Sequence, residues 1–257
     1  MFVVPEKFVR NAPHIAKHGP PVETGAWLLN YLARRLGRAD LAGLDILDFG
    51  CGTRFTDTIL NGNLPLNSYT GLDAWLEMIN FLNAEAVPLD PRLSYYKLNM
   101  RNNYYDKAGT PPRKVTELPF PQDRTFDLAC LFSVITHQNP TEATSIFRLI
   151  RKYIRPGGHM FFSADILDDV PLYREADENV PGCYSQYSYG ALVQLLAMTG
   201  WQVVSFEKRE NDSALILESL LCAPAPIGDT SASLGPPGCI SALADVMAAI
   251  TRLGQRV

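Results

Sequence analysis

Short apolar runs of strand length alternate with helical patterns along most of this chain, and this alternation limits the folds open to it. The apolar runs lie at residues 44–50, 68–73, 93–99, 125–132, 159–165, 201–208 and 213–222. Apolar residues at helical spacing lie at 22–37, 75–86, 141–154 and 189–200. Strands that alternate with helices are typical of a parallel sheet covered by helices on both faces. The pattern therefore predicts a doubly wound α/β fold with seven strands.

The last two strands are predicted to break the parallel arrangement. Only the turn Glu210-Asn211-Asp212 separates them, and a parallel crossover needs about a dozen residues. We therefore expect a mostly parallel sheet with an antiparallel last strand. The run 125–132 is the most apolar of the set, which predicts a central strand buried on both faces.

The chain of 257 residues is predicted to hold one main domain with an extension at each end. The strand pattern closes within residues 22–222, the predicted main domain. Residues 1–21 are punctuated by prolines and are predicted to form an N-terminal arm or lid. Residues 223–257 are predicted to be a linker rich in proline and glycine, followed by a short amphipathic helix.

Composition narrows the classes of function. The net charge is -4, from 27 acidic and 23 basic residues. Nucleic-acid binders usually carry a basic excess, so a nucleic-acid partner is disfavoured. Five cysteines without a C-x-x-C pair indicate no structural zinc site and suit a reducing compartment. No run approaches about 18 apolar residues, so no membrane span is predicted. No signal peptide is evident in the first 20 residues either, and we expect a cytoplasmic protein.

The densest motif is the glycine loop that directly follows the first predicted strand. It contains Asp48, Gly50 and Gly52, and Asp73 ends the second strand 23 residues after Gly50. In an open parallel sheet a ligand binds beyond the carboxyl ends of the strands, and an acidic residue there can accept both hydroxyls of a ribose. The alternative to a ligand site is that the glycines only form a tight turn and the aspartate only caps a helix. The third glycine of a dinucleotide fingerprint is Phe55 here, and no P-loop lysine follows, so NAD, FAD and P-loop binding are disfavoured.

Three further segments complete a resemblance to a known superfamily. They are Phe126-Asp127, Ser133-Val134-Ile135-Thr136-His137 and Arg155-Pro156-Gly157-Gly158. With the glycine loop and Asp73, they make residues 44–222 resemble the class I S-adenosylmethionine-dependent methyltransferases. The resemblance implies a Rossmann-like fold and transfer of a methyl group from S-adenosylmethionine, with S-adenosylhomocysteine as the product.

The resemblance also implies which residues contact the cofactor. These are Asp48, Gly50, Cys51, Gly52, Asp73, Ala74, Trp75, Asn99, Met100 and Ser133. The glycine loop would line the methionine half, Asp73 would hold the ribose, and the two residues after it would pack on the adenine. Asn99 stands where the family often has an aspartate, but its carbonyl oxygen can still accept a hydrogen bond. Ser133 would lie near the methyl group, and Cys51 is interpreted as a packing residue.

His137 is the first candidate for a general base, because it follows the fourth strand and faces the predicted crevice. An imidazole, whose ordinary pKa is about 6.5, suits proton abstraction near neutrality. The alternatives are that His137 closes the cofactor pocket or caps the helix that follows. Asp165, at the end of the fifth strand, is the second candidate for the base.

The acceptor is predicted to be a small molecule, methylated at a hydroxyl oxygen. Its site would come from residues 1–21, which include His14 and His18, from the long connection 101–122, and from residues 165–187. The last segment holds Asp165, Asp168, Asp169, Tyr173, Tyr184 and Tyr187. No Asn/Asp-Pro-Pro-aromatic sequence follows the fourth strand, and that strand ends without a carboxylate, so amino-methylating and magnesium-dependent catechol types are disfavoured. The alternatives are a nitrogen or carbon acceptor, a nucleic acid, or a binding subunit without turnover.

Overall fold

The computed structural model describes residues 1–10, 13–101, 106–175, 185–208, 215–216 and 218–225. The strands are β1 (Asp45–Phe49), β2 (Ser68–Asp73), β3 (Leu93–Lys97), β4 (Phe126–Leu131), β5 (Ile154–Ile166), β6 (Tyr173–Glu175), β7 (Ser185–Tyr187), β8 (Trp201–Glu207) and β9 (Glu218–Pro224). The α-helices are α1 (Pro13–Ala16), α2 (Pro21–Arg35), α3 (Arg54–Gly62), α4 (Leu76–Glu85), α5 (Pro140–Arg151) and α6 (Tyr189–Ala197). Short 3₁₀ turns lie at Glu6–Phe8, Val87–Leu89, Pro112–Lys114 and Ile135–His137.

Seven of these strands form the predicted sheet. Their spatial order is β3-β2-β1-β4-β5-β9-β8, and β9 is antiparallel to both of its neighbours. The mostly parallel sheet with an antiparallel last strand is therefore confirmed. The predicted turn at 210–212 lies outside the described residues.

The described sheet has nine strands, two more than predicted, because a short hairpin extends it. Strands β6 and β7 pair with each other, and β7 also pairs with the end of β5 through Asp165 and Ile166. Each hairpin strand has only three residues. Three residues are too few for an alternating pattern to stand out from a loop, so this segment was predicted only as part of the acceptor site.

The sheet is covered on both faces, as predicted. Leu128 and Cys130 of β4 belong to one apolar cluster, and Ala129 and Leu131 belong to the other; all four are fully buried. Helices α2, α3 and α4 pack on the first cluster, and α5 and α6 pack on the second. The central position of β4, between β1 and β5, is confirmed.

Helix α3 and strand β5 also differ from the sequence prediction. Helix α3 was not predicted, because its nine residues include Thr56, Thr58 and Gly62, which favour helix weakly. Strand β5 was predicted to begin at residue 159, after a Pro-Gly-Gly break. It begins at Ile154 and contains that tripeptide, and its pairing with β4 shifts register there. The glycines therefore form an irregularity inside the strand and do not precede it.

Residues 1–10 of the N-terminal arm pack on α3 and α4. Asn61 of α3 accepts a hydrogen bond from the Phe2 nitrogen at 3.1 Å and donates one to its carbonyl at 2.9 Å. The Phe8 side chain is 2% exposed and packs against Phe81 of α4. Within the described residues, no helix is long and apolar enough to cross a membrane. The predicted linker and tail helix lie in 226–257, outside the described residues.

Candidate functional site

The loops after β1, β2 and β3 lie side by side at the carboxyl edge of the sheet. The backbone nitrogens of Gly50 and Cys51 both donate to the carbonyl of Leu72, at 2.8 and 2.9 Å. The Leu98 nitrogen, just after β3, donates to the carbonyl of Asp73 at 2.8 Å. These bonds hold the glycine loop, the end of β2 and the end of β3 in one surface, where a parallel sheet binds its ligands.

The two glycines of the loop have conformations that side chains rarely adopt. Gly50 has φ +80° and Gly52 has φ +51°. A Cβ atom at Gly50 would lie 2.6 Å from Cγ2 of Val134, which belongs to the turn after β4. A Cβ atom at Gly52 would have no atom within 4 Å. Gly50 therefore permits close contact between two loops, whereas Gly52 faces open space.

Asp73 is joined directly to the glycine loop. Its carboxylate accepts hydrogen bonds from the backbone nitrogens of Gly52 at 3.1 Å and Trp75 at 3.0 Å. Burial raises the pKa of Asp73, and these bonds and the positive charge of Arg10 oppose that rise. The half-buried carboxylate therefore lies at the end of β2, beside the open space over Gly52.

The side chain of Asp48 lies beneath the loop, in the core. It is 2% exposed and accepts a hydrogen bond from the Tyr69 hydroxyl at 2.6 Å. Burial raises its pKa to about 7, and hydrogen bonds from Tyr69 and Cys130 oppose the rise. Cys51 is also buried, and burial raises the pKa of its thiol well above the usual range. Both side chains therefore support the loop from below.

The two residues after Asp73 are half-buried at the rim of the crevice. The Trp75 ring contacts the Phe8 ring edge-on, with 5.0 Å between centroids. The guanidinium carbon of Arg10 lies 4.8 Å from the Trp75 ring centroid. Phe8 and Arg10 belong to the N-terminal arm, which was predicted to contribute to the acceptor site. Their contact with Trp75 was not predicted, because no local pattern shows which loop the arm will reach.

Asn99 and Met100 follow β3, but their side chains have different surroundings. Asn99 is exposed, and its amide nitrogen lies 3.4 Å from the Thr110 hydroxyl. Met100 is 4% exposed and packs in the core with Leu118. Only Asn99 therefore presents its side chain at the carboxyl edge.

The turn after β4 contains a strained residue. Ser133 is exposed and has φ +55°, a left-handed conformation that is uncommon outside glycine. Its backbone nitrogen donates to the hydroxyl of buried Ser163 at 2.9 Å, and its carbonyl accepts from the Thr136 hydroxyl at 3.0 Å. Non-glycine residues held in such conformations cluster at functional sites. This turn places Ser133 at the carboxyl edge, next to the glycine loop.

His137 ends that turn and is half-buried. Its predicted alternative role as the cap of the following helix is wrong, because α5 begins at Pro140 and its N-cap is Asn139. The Asn139 side chain accepts from the Glu142 nitrogen at 3.0 Å, and the Glu142 carboxylate accepts from the Asn139 nitrogen at 3.2 Å. The capping role therefore belongs to Asn139.

Asp165, near the end of β5, is held by the hairpin. Its carboxylate accepts a hydrogen bond from the Gln186 amide at 2.9 Å. Tyr187 of the same hairpin is fully buried and donates its hydroxyl to the Gln138 carbonyl, next to His137. Of the tyrosines predicted for an acceptor pocket, Tyr187 is thus a core residue, Tyr173 is half-buried, and Tyr184 lies outside the described residues.

Comparisons with known proteins agree on one fold. The sequence model of a family described as "Methyltransferase domain" matches residues 26–206. A Burkholderia thailandensis 1,6-didemethyltoxoflavin-N1-methyltransferase, solved with bound 1,6-didemethyltoxoflavin and S-adenosylhomocysteine, is 17% identical with a TM-score of 0.54, over 82% of this chain and 81% of that one. A Synechocystis magnesium protoporphyrin IX methyltransferase, solved with bound S-adenosylhomocysteine, is 12% identical with a TM-score of 0.53, over 82% and 86%. A glycopeptide N-methyltransferase complexed with sinefungin is 15% identical with a TM-score of 0.53, over 79% and 87%.

Proposed function

On the premise that the chain belongs to the methyltransferase-domain family, whose model matches more than two thirds of it, we propose the following function. The protein transfers a methyl group from S-adenosylmethionine to a hydroxyl oxygen of a small molecule. The observation that carries the proposal is the junction of Gly52 and Asp73 at the carboxyl edge of the sheet. Both solved methyltransferases from B. thailandensis and Synechocystis hold S-adenosylhomocysteine, the product expected here.

The residues at this edge fit the proposed cofactor. The Asp73 carboxylate can accept both ribose hydroxyls, and Trp75 offers an aromatic surface to the adenine. Gly52 faces open space, so the backbone can approach the ligand closely. Asn99 is exposed beside Asp73 and has a carbonyl oxygen able to accept from an amino group. Asp48 would not contact the cofactor with its own carboxylate, which is buried, but would hold the glycine loop in place.

The chain's main contribution to catalysis would be alignment. When bound, S-adenosylmethionine supplies a methyl group activated by its sulfonium. Holding an acceptor in line with such a group can lower the barrier by about 7 to 11 kcal/mol. The strained turn that begins at Ser133 faces the glycine loop through Val134 and Gly50, so it can position an acceptor against the methyl group.

A hydroxyl acceptor must lose its proton, and we assign that step to His137. It lies in the turn after β4, and a general base at such a position contributes about 10² to 10⁴ in rate. Asp165, whose carboxylate accepts a hydrogen bond from Gln186 at 2.9 Å, is the alternative base. The acceptor itself would lie between this turn and the hairpin β6–β7.

Cofactor binding is tested by calorimetry with S-adenosylmethionine and S-adenosylhomocysteine. Asp73→Asn should weaken binding about 10- to 100-fold, because hydrogen bonds to a charged group contribute about 1.5 to 3 kcal/mol. Asp127→Asn is the matched control, since Asp127 also accepts a backbone hydrogen bond, from Asp45 at 2.8 Å, but lies at the opposite edge. Equal affinities in the two variants would refute the placement of the ribose. No binding to the unaltered protein at millimolar concentration would refute the function.

The acceptor atom is tested with methyl-labelled S-adenosylmethionine and a panel of small phenols and alcohols, each paired with the matching amine. We expect label on oxygen and a loss of turnover of about 10² or more in His137→Ala, with cofactor affinity unchanged. Label on the amines alone would refute the oxygen acceptor. Unchanged turnover in His137→Ala would remove His137 as the base.

A further inference from the structure

Arg10 bridges two loops of the cofactor site. Its backbone carbonyl accepts a hydrogen bond from the Arg54 guanidinium at 2.7 Å, at the start of α3. Its own guanidinium reaches the loop after β2, where it lies 4.8 Å from the Trp75 ring centroid and its charge attracts the Asp73 carboxylate. The backbone of Arg10 thus lies against the start of α3, and its side chain extends to the end of β2.

The two groups that Arg10 contacts are those that the proposed function assigns to the adenosyl group. A guanidinium is a flat group with several N–H donors, and it favours an aromatic face and a carboxylate. The adenine ring of adenosine is also flat, and the ribose attached to it can donate two hydroxyls to a carboxylate. A ring stacked on an indole lies about 4.5 Å or more from its centroid, in the layer that the Arg10 guanidinium occupies. Both groups cannot use this layer of Trp75 together.

We propose that Arg10 and the adenosyl group of the cofactor compete for Trp75 and Asp73. This inference rests on the proposed function. Cofactor binding then requires the Arg10 side chain to leave the crevice. The affinity of the protein for its cofactor is therefore lower than it would be without Arg10, because the contacts of Arg10 with Trp75 and Asp73 must first be broken. Arg10 sets how tightly the protein holds its cofactor and its product.

The surroundings of Arg10 allow such an exchange with little rearrangement. The arm before it is fixed, because Phe8 is 2% exposed and its carbonyl accepts from the buried Thr53 hydroxyl at 3.2 Å. Asn61 fixes Phe2 through two hydrogen bonds. Arg10 itself is exposed, so its side chain can turn toward solvent while residues 1–8 keep their packing.

The test compares cofactor affinity in Arg10→Ala and in a matched variant, Lys7→Ala. Lys7 is a second cation of the same arm, and its ammonium also lies 4.8 Å from an aromatic centroid. Its ring is Phe8 and its ion pair is with Glu77, so it contacts neither Trp75 nor Asp73 in these interactions. By calorimetry with S-adenosylhomocysteine, Arg10→Ala should lower Kd about three- to ten-fold. Lys7→Ala should leave Kd unchanged.

Adenosine alone is the second probe, because the competition concerns only the adenosyl group. Arg10→Ala should tighten adenosine binding by the same factor as S-adenosylhomocysteine binding. Unchanged or weaker binding in Arg10→Ala, or a gain seen with S-adenosylhomocysteine but not with adenosine, would overturn the inference while leaving the proposed function intact. If neither probe binds the unaltered protein or Arg10→Ala, the proposed function fails, and the inference fails with it. A thermal unfolding curve of each variant confirms that the fold is retained.

Discussion

The two edges of the sheet use the same residue types in different ways. At the amino edge, Arg155 donates to Asp45 and Asp127, each at 2.9 Å. At the carboxyl edge, Asp73 accepts from two backbone nitrogens, beside a glycine that faces open space. The acids of the amino edge thus pair with a neighbouring arginine at hydrogen-bond distance. Asp73 is instead held by backbone nitrogens and attracted by Arg10, whose side chain a ligand would displace.

The pKa values of the aspartates follow this difference. Burial alone would raise the pKa of Asp45, but hydrogen bonds from Ser68, Arg155 and Asn67 outweigh it, and the pKa is lowered. Burial raises the pKa of Asp73, and its backbone hydrogen bonds do not outweigh that rise. At the amino edge, ion pairs with Arg155 stabilise the negative charge of the aspartates. At the other edge the fold tolerates a less favourable charge, which a ligand with hydroxyl donors would stabilise.

The comparison can be sharpened within one strand, because Asp45 and Asp48 both belong to β1. The pKa of Asp48 rises from 3.8 to about 7 on folding, so its protonated form favours the folded state. Its contribution to stability is complete below about pH 4 and is lost as the pH rises to about 7. At about 1.4 kcal/mol for each pKa unit, the loss is on the order of 4 kcal/mol. The pKa of Asp45 is lowered on folding, so its contribution to stability is present above about pH 4 and is lost as the pH falls below that value.

Asp48→Asn should remove this loss, because its amide stays neutral and can still accept from Tyr69. The free energy of unfolding of Asp48→Asn, measured with urea, should exceed that of the unaltered protein by about 1 kcal/mol at pH 4.5 and by about 4 kcal/mol at pH 8. Asp45→Asn is the control and should be less stable than the unaltered protein at pH 8. A parallel pH dependence in Asp48→Asn and the unaltered protein would show that Asp48 does not carry the effect.

A smaller effect separates two glycines with nearly the same conformation at opposite edges. Gly50 has φ +80° and Gly157 has φ +81°. A Cβ at Gly50 would lie 2.6 Å from Val134, whereas one at Gly157 would meet nothing within 4 Å. Gly157→Ala should therefore cost about 1 to 2 kcal/mol of stability through backbone strain alone, with S-adenosylhomocysteine affinity unchanged.

Gly50→Ala should cost about 2 to 3 kcal/mol, because a clash is added to the strain. It should also weaken S-adenosylhomocysteine binding about tenfold or more, since the loop must move away from the turn after β4. Urea unfolding and calorimetry on both variants check these values. Equal losses of affinity in the two variants would mean that the carboxyl edge is not the binding edge.

Local patterns predicted the elements whose signals are long and regular. The apolar run of β4 and the stripe of α5 each span several turns or pleats, so their type and burial could be predicted. Helix α3 could not, because its threonines and glycine are weak helix formers and its stability comes from packing Phe55 and Ile59 against the sheet. The hairpin β6–β7 was missed because its strands form only against the end of β5.

The sequence by itself determined the fold class, the antiparallel last strand and the positions of the glycine loop and Asp73, because these depend on local periodicity and on spacing along the chain. Only the tertiary structure decided which side chains reach the carboxyl edge. Pleat alternation directs Asp48 into the core, and the packing of Phe8 brings Arg10 onto Trp75 across more than 60 residues of chain. Such contacts depend on how separate elements pack, and no local sequence pattern encodes them.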